Sequence, residues 1–411
     1  MARPYLISGI DVGNSQVKVV VAKVDRDTLG VEILGIGSAP SNGLRRGMVV
    51  DMEETIDNIR TAVQRAEAMA GVSVKRTYLA VNGLHIKSQA SRGVIAVSRA
   101  DNEISQSDVE RVLQAASVVS LPANREIVHV IPRNFIVDGV ENVKSPLGMK
   151  GVRLEAEVFI IEGLSPYLRN LAKCVNENNI EVAGLVYAPL AASLSVLDKN
   201  QKEYGVLNLD FGGGTSTLTI FQEADLLHSA VLPIGSKHIT SDLAVALRTS
   251  IDVAERIKIE HGTTSEGLDM RKREQIDLSE LVGEENFFWP KKQLVGVIDA
   301  RAHELLDMVS TELKKVSRGV LPAGVVLSGG GANLPVQASL VIEKLRLPVR
   351  IAHQVSFRGM EDQNDPSYSV ATGLILWGLE EEFSGSRSKA MPSAHSDLFK
   401  KVGGWLKNFL P

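Results

Sequence analysis

Apolar runs separated by turn residues predict strands and helices in alternation along most of the chain. Residues 5–10 and 17–22 are predicted as two strands, and the polar segment 11–15 connects them. Asp51 and Glu54 form a capping pair that begins a helix, and apolar residues continue after it at helical spacing. This mixture of elements is typical of an α/β protein.

The strand–turn–strand unit of the N-terminus occurs again about halfway along the chain. Residues 205–209 form a second predicted strand that leads into Asp210 and the glycine-rich turn 211–215, and another strand is predicted over 217–221. In both copies an aspartate ends the first strand and a Ser or Thr closes the turn. A repeat of this size predicts two similar halves that face each other, not a solenoid of short units.

Residues 84–163 interrupt the first half with a different pattern. Strands are predicted over 93–98, 127–137 and 156–161, around one helix that begins at Ser105. We therefore predict an inserted α+β subdomain. The predicted division is a first-half core (1–83), the insertion (84–163), the first-half core continued (164–203), a second-half core (204–238), a small second-half subdomain (239–298), the second-half core continued (299–358), a return to the first half (359–383), a flexible linker (384–395) and a terminal amphipathic helix (396–411).

Two regions outside the repeated halves have distinctive compositions. Residues 263–293 are rich in charge and are predicted to be irregular. Residues 384–395 are rich in Ser, Gly and Pro, which is typical of a linker.

Composition excludes several classes of function. The formal net charge of −4 gives no reason to expect nucleic acid as a partner. Cys174 is the single cysteine, which excludes an intramolecular disulfide and a cysteine-clustered metal site. The apolar run before Asp11 is too short for a signal peptide, and glycines and prolines interrupt the uncharged stretch 319–342 too often for a lipid-facing helix.

The two turns carry the residue types that bind a phosphate group and a magnesium ion. Small residues between strands leave several backbone N–H groups pointing in one direction, and such a nest binds phosphate oxygens. A hydrated Mg²⁺ takes one or two carboxylates and keeps its waters, which suits the aspartates at the strand ends. One such turn is more often an ordinary tight turn, whereas two in matching contexts favour the phosphate interpretation. The predicted residues are Asp11, Gly13, Asn14, Ser15, Lys18, Asp210, Gly212, Gly213, Gly214 and Thr215, with Asp11 and Asp210 holding the magnesium through water.

Further segments agree with a nucleotide cleft. The predicted strand 325–327 ends in a glycine run that fits flat against an adenine, and two small-residue helices, 188–194 and 369–376, would pack closely where two halves hinge. Glu255 and Lys258 share one face of a further predicted helix, and the alternative to a role in the cleft is a solvated ion pair between them. The Walker and Rossmann glycine motifs do not occur. The additional cleft residues are Glu255, Lys258, Gly329, Gly330 and Gly331.

The C-terminal segment has the pattern of an amphipathic helix. Its apolar residues share one helical face and its lysines lie opposite, which is the profile of an interfacial helix in anionic lipid headgroups. The alternative is a helix docked on the protein's own core. The predicted membrane residues are Leu398, Phe399, Val402, Trp405, Leu406, Phe409 and Leu410, with Lys400, Lys401 and Lys407.

The two turns, the third glycine run and the two small-residue helices resemble the actin, heat-shock-chaperone and sugar-kinase ATPase superfamily. Within it, the chain resembles the FtsA family of bacterial cell-division proteins over essentially its whole length. The most specific resemblance is in three segments of the insertion, 97–101, 126–132 and 146–154. The resemblance implies an actin-like ATPase fold, with two duplicated RNase H-like halves around a cleft for ATP or ADP and Mg²⁺. Chaperones and MreB carry a Glu where this chain has Ala188, so at most weak ATP hydrolysis is expected and the catalytic residues are unknown.

The resemblance also implies partners. Members of the FtsA family bind the C-terminal tail of FtsZ through the small second-half subdomain, associate head to tail through the insertion, recruit later division proteins, and hold FtsZ filaments on the cytoplasmic face of the inner membrane at the division site. The resemblance favours the lipid interpretation of the tail. Alternatives are a type IV pilus adaptor and a sugar-kinase-like phosphotransferase, and the tail helix argues against both. Candidate FtsZ-tail residues are Trp289, Lys291, Lys292 and Arg301. For residues 287–289 an internally packed hairpin is the favoured alternative, and for the lysines the alternative is a solvated face.

Overall fold

The computed structural model of the chain describes residues 5–263, 274–283, 285–316, 320–334, 337–354, 357–359 and 365–384. The strands are β1 (Tyr5–Val12), β2 (Gln16–Val24), β3 (Val31–Pro40), β4 (Leu44–Arg45), β5 (Met48–Val49), β6 (Arg76–Val81), β7 (Lys87–Ala96), β8 (Arg125–Val137), β9 (Val140–Val143), β10 (Arg153–Leu164), β11 (Glu181–Tyr187), β12 (Val206–Phe211), β13 (Ser216–Gln222), β14 (Asp225–Leu232), β15 (Gln275–Asp277), β16 (Phe288–Pro290), β17 (Val325–Ser328) and β18 (Val349–Ile351). The α-helices are α1 (Met52–Ala70), α2 (Gln106–Ser117), α3 (Ser165–Asn176), α4 (Ala188–Val196), α5 (Lys199–Tyr204), α6 (Ser236–Leu247), α7 (Ile251–His261), α8 (Ser279–Val282), α9 (Lys291–Val316), α10 (Gln337–Leu345) and α11 (Ser369–Ser384), and 3-10 turns cover Gly330–Asn333 and Pro366–Tyr368.

Two five-stranded sheets repeat one topology. Their strand orders are β3-β2-β1-β6-β11 and β14-β13-β12-β17-β18. In each sheet the first three strands in chain order form an antiparallel meander, and the first of them also pairs in parallel with a later strand, β6 or β17. The predicted pair of duplicated halves is therefore confirmed.

The first-half sheet is covered by helices because its central strands are buried on both faces. Residues 17–22 of β2 are buried without a break, whereas β3 alternates. Helix α1 packs on β2 and β3. It begins where the Asp51 side chain accepts a hydrogen bond from the Glu54 N–H and ends at Gly71, which has a left-handed φ of 68°.

Helices α4 and α11 lie between the two halves. Helix α11 packs on the first-half sheet, α4 packs on the second-half sheet, and the two helices contact each other. Their backbones approach so closely that a Cβ on Gly373 would lie 1.8 Å from the Ala191 carbonyl oxygen. Small residues at this crossing thus allow a close junction between the halves. Helix α11 continues to Ser384, well beyond the predicted end at 376.

The insertion has a sheet and a core of its own. Its strand order is β7-β10-β8-β9, and α2 packs on β7 and β10. Helix α2 begins after Ser105 as predicted, where Ser105 and Asp108 form a capping box. Strand β7 begins earlier than predicted, at Lys87. The insertion also contacts the second half, where the Lys144 ammonium lies 2.5 Å from an Asp225 carboxylate oxygen.

The charged stretch predicted to be irregular contains regular elements. Within the described residues it includes β15, α8, β16 and the first turn of α9. Strands β15 and β16 pair through Ile276 and Trp289, which face the second-half core. Cross-strand packing therefore stabilises the pair of strands, which agrees with the packed alternative for residues 287–289. Helix α9 continues without a break across the predicted boundary at 298. Among the described helices, none is both long and apolar enough to cross a membrane.

Candidate nucleotide-binding site

The two predicted phosphate turns meet face to face. The β1–β2 turn contains Asn14 and Ser15, and the β12–β13 turn contains Gly213 and Gly214. A Cβ on Gly213 would lie 2.0 Å from Ser15 Oγ, and a Cβ on Gly214 would lie 2.7 Å from Asn14 Cγ. The missing side chains therefore let the two turns approach each other closely.

The third glycine run joins the second turn at Asp210. Ser328, the last residue of β17, donates its hydroxyl to an Asp210 carboxylate oxygen at 3.3 Å. Gly329 has a φ of 82°, and a Cβ there would lie 2.9 Å from the other Asp210 oxygen. Next to it, a Cβ on Gly331 would collide with the Phe211 ring. The run therefore requires glycine where it passes the carboxylate and the aromatic ring.

Two carboxylates lie beneath the turns. Burial raises the pKa of Asp210 to about 6, against the hydrogen bond from Ser328 and the charge of Lys18. Burial also raises the pKa of Asp11 to about 6, where Lys18 opposes the shift and Asp210 adds to it. Both groups are thus costly to ionise in the free protein, and a bound cation would remove that cost.

Lys18 lies on β2 directly opposite Asp11 and is buried. Its ammonium donates a 2.7 Å hydrogen bond to the Ser367 carbonyl and lies 5.0 Å from the centre of the Tyr368 ring. Burial lowers the pKa of Lys18, against the charges of Asp11, Asp365 and Asp210. The lysine predicted to contact phosphate therefore also contacts the turn that precedes α11.

The sequence analysis missed Asp365, which organises that turn. Its carboxylate accepts hydrogen bonds from Asn333 Nδ2 at 2.8 Å and from the Ser367 N–H and hydroxyl at 2.9 and 2.7 Å. An Asp before a Pro just ahead of a helix is a recognisable N-terminal signal, and it could have identified this residue.

The predicted Glu255–Lys258 pair forms on α7. The Lys258 ammonium is buried and lies 2.7 Å from a Glu255 carboxylate oxygen and 2.9 Å from Thr240 Oγ1. It also lies 3.4 Å from the Ser236 carbonyl oxygen at the start of α6. The pair is thus part of a network that reaches the second phosphate turn, because the Ser236 N–H donates to the Gly212 carbonyl.

Comparison with known proteins identifies the family. The family model for the SHS2 domain inserted in FtsA matches residues 83–162, and the model for cell division protein FtsA matches residues 207–373. The chain is 35% identical over 393 residues to cell division protein FtsA of Pseudomonas aeruginosa, covering 95% of this chain and 93% of that protein. It is 38% identical over 371 residues to FtsA of Bacillus subtilis, covering 90% and 82%.

The chain belongs to the FtsA family. The predicted family resemblance is therefore confirmed, and a role in bacterial cell division follows from this membership.

Solved structures agree on the fold at low sequence identity. A PilM–PilN type IV pilus biogenesis complex matches with a TM-score of 0.63 and 16% identity, over 91% of this chain and 98% of that one. MreB5 of Spiroplasma citri bound to ADP matches with a TM-score of 0.53 and 15% identity, over 90% and 95%. The predicted actin-like ATPase fold with an inserted subdomain is confirmed.

The candidate FtsZ-tail residues of this FtsA-family chain differ in their surroundings. The Arg301 guanidinium donates hydrogen bonds of 2.8 and 3.1 Å to the two Asp242 carboxylate oxygens and a further one to the Glu304 carboxylate. The Lys291 ammonium lies 3.3 Å from a Glu274 carboxylate oxygen, whereas the Lys292 side chain is exposed.

The three aromatic residues 287–289, which lead into β16, alternate between the core and the surface. Phe287 and Trp289 stack with ring centres 6.2 Å apart and pack against the core, while Phe288 is 49% exposed. The exposed aromatic side chain is therefore Phe288, which the period-2 alternation of a strand could have indicated. Ser384, the first residue of the predicted linker, ends α11; the rest of the linker and the predicted membrane helix lie outside the described residues.

Proposed function

We propose that this chain is an ATP-binding, actin-like scaffold of cell division that tethers FtsZ filaments to the cytoplasmic face of the inner membrane. In this proposal the second-half subdomain binds the FtsZ tail, the C-terminal amphipathic helix binds anionic lipid, and head-to-tail self-association through the insertion builds a filament that recruits later division proteins. The observation that supports the nucleotide-dependent part best is the meeting of the two glycine turns above two partly buried carboxylates.

The residues of the cleft fit a magnesium nucleotide. The two turns would hold the phosphates through their backbone N–H groups, since side chains at Gly213 and Gly214 would fill the same space. Asp11 and Asp210 would hold a hydrated Mg²⁺, which would supply positive charge next to the phosphates. Gly329, Gly330 and Gly331 would face the adenosine, with Glu255 and Lys258 as further candidates for it. MreB5, which shares the fold, has been solved with ADP.

The residues at the start of α4 support the proposal that ATP hydrolysis is slow. Ala188 is the first residue of this helix and is buried, so it supplies no carboxylate to orient a water. The neighbouring Tyr187 N–H donates a 2.9 Å hydrogen bond to His129 Nε2, which occupies the lone pair that a general base would use. We therefore propose that bound nucleotide regulates assembly and that turnover is weak.

The membrane and FtsZ interactions are supported by sequence pattern and surface charge. An apolar face containing Trp405 opposite three lysines suits an anionic headgroup layer. Exposed Lys292 and Phe288 would offer a cation and an aromatic contact to an acidic peptide. A single short helix binds a membrane weakly, and a filament would multiply that binding.

Liposome co-sedimentation tests the two ends of the tether together. We expect the full chain to carry a fluorescent FtsZ tail peptide down with vesicles that contain phosphatidylglycerol, and a chain that ends at Ser384 to leave the peptide in solution. The cut belongs after Ser384 because the Phe383 ring contacts the Tyr5 ring, with centres 5.2 Å apart, and is therefore part of the folded body. Trp405→Glu in the full chain is the matched point variant, and vesicles of pure phosphatidylcholine are the lipid control.

The outcomes separate the two interactions. If the protein sediments without the peptide, the lipid contact stands and the proposed peptide site is wrong. If neither sediments, the terminal segment is a docked helix, the tether proposal fails, and a sugar-kinase-like activity becomes the alternative to assay.

Charge reversal at Lys292 tests the peptide site. Lys292→Glu is expected to weaken binding of the FtsZ tail peptide about fivefold at low salt, because one exposed charge pair contributes at most about 1 kcal/mol. Fluorescence anisotropy at two salt concentrations measures this change, and the difference should shrink at high salt. Lys314→Glu, at the other end of α9, is the control. Arg301 is a poorer choice, because its substitution would leave Asp242 without its partner. Equal peptide affinity for both variants would remove Lys292 from the site.

A further inference from the structure

Lys237 spans the cleft at the two phosphate turns. It lies in the first turn of α6, on the second half, and its ammonium donates a 2.7 Å hydrogen bond to the Asn14 carbonyl on the first half. We propose that Lys237 is a positioning residue of the nucleotide cleft, which ties the two turns together and ranks nucleotides by their number of phosphates. This inference rests on the proposed nucleotide binding and adds a residue to it.

The backbone of Lys237 is fixed on the second turn. The N–H groups of Ser236 and Lys237 donate to the carbonyls of Gly212 and Gly213, each at 2.9 Å. Gly235 permits this contact, because a Cβ there would lie 2.4 Å from the Gly213 carbonyl oxygen. The side chain of Lys237 therefore starts from the second phosphate turn itself.

The other end of the contact is fixed as well. Asn14 Oδ1 accepts a 3.1 Å hydrogen bond from the Gly47 N–H, and the Ser15 carbonyl accepts a 2.9 Å bond from the Ser41 N–H. Both turns are thus held by their own halves. The bond between Lys237 and Asn14 consequently depends on how far the two halves are separated.

The charge of Lys237 is available to an anion. Its hydrogen-bond partner is a neutral carbonyl; the Glu255 carboxylate acts on it through its charge but, within the described part of the chain, forms its ion pair with Lys258. The nearby Lys258 is different, because its ammonium is already paired with Glu255 at 2.7 Å. A phosphate oxygen attracts this ammonium more strongly than a carbonyl oxygen does, because the phosphate carries a full negative charge.

The inference gives a dependence on phosphate number. A cation next to the phosphate turns contributes more binding as the ligand carries more negative charge, and contributes nothing for a ligand without phosphate. A residue that only held the fold would affect all adenine ligands alike. Adenosine, AMP, ADP and ATP are therefore the probes that distinguish the two roles.

The experiment compares these four ligands by isothermal titration calorimetry with Mg²⁺ on the full chain. Lys237→Met is expected to weaken ATP binding about tenfold, ADP binding less, and adenosine binding not measurably. Lys237→Arg, which keeps the charge, should recover most of the ATP affinity. Lys199→Met is the control, because Lys199 is an exposed lysine on α5. Thermal melting of each variant checks that it is folded.

Each outcome decides one question. Unchanged ATP affinity in Lys237→Met, or an equal loss for adenosine and ATP, overturns the inference while leaving the proposed function in place. Failure of the unaltered chain to bind any of the four ligands overturns the proposed nucleotide binding and this inference with it.

Discussion

Gly213→Asp is expected to lower the affinity for ATP by at least about a hundredfold, which corresponds to about 2.7 kcal/mol. A Cβ at this position would lie 2.0 Å from Ser15 Oγ and 3.0 Å from Ser15 Cβ, so the substituted turn must move away from its partner. The new carboxylate would also add negative charge where the phosphates are proposed to bind, close to Asp11 and Asp210. Steric displacement and charge repulsion therefore act in the same direction.

Titration of ATP into the full chain with Mg²⁺ measures this loss. Gly296→Asp is the matched control, because a Cβ on Gly296 meets no atom within 4 Å, and ATP affinity should stay within about twofold of the unaltered chain. Asp210→Asn is a second variant that keeps the side-chain shape and removes the charge. It should abolish the dependence of ATP binding on Mg²⁺ if Asp210 holds the ion. Normal ATP binding by folded Gly213→Asp protein would contradict the cleft proposal.

The parts of this cleft that could be predicted are the parts encoded locally. A strand, an aspartate, small residues and a second strand are adjacent in the sequence, and their repetition indicates two halves before any contact is known. The partners of Lys18 are not adjacent. The Ser367 carbonyl that accepts its hydrogen bond is 349 positions away and belongs to a turn whose conformation depends on Asp365. Lys237 was missed for the same reason, since only the meeting of the halves brings it to Asn14.

Local composition also gave an incomplete view of the surface. Arg301 was selected as a cation for an acidic peptide, and Asp242 and Glu304 hold its guanidinium. Trp289 was selected as an apolar anchor beside the favoured alternative of a packed hairpin, and strand pairing turns it toward the core and turns Phe288 outward. Charge and aromaticity can be predicted from residue types, whereas exposure depends on which face of an element packs.

Arg125→Met is expected to destabilise the junction between the insertion and the first half by about 3–5 kcal/mol. Arg125 and Glu162 form a buried ion pair with side chains only 7% and 8% exposed and a 2.9 Å contact. The same guanidinium donates to the carbonyls of His85 and Glu162 at 2.9 and 3.2 Å, where the chain enters and leaves the insertion. Removing the cation leaves the Glu162 carboxylate buried without its partner, which is costly because burial disfavours an unpaired charge.

Urea unfolding followed by tryptophan fluorescence and circular dichroism measures the change. Arg99→Met is the matched control in the same subdomain, since the Arg99–Asp101 pair is 49% exposed on both sides and should contribute less than about 1 kcal/mol. The double variant Arg125→Met, Glu162→Leu removes both charges and should recover much of the lost stability, because an apolar pair has no unpaired charge to bury. Recovery would assign the loss to the buried charge, whereas a double variant as unstable as Arg125→Met would assign it to the carbonyl contacts that position the insertion.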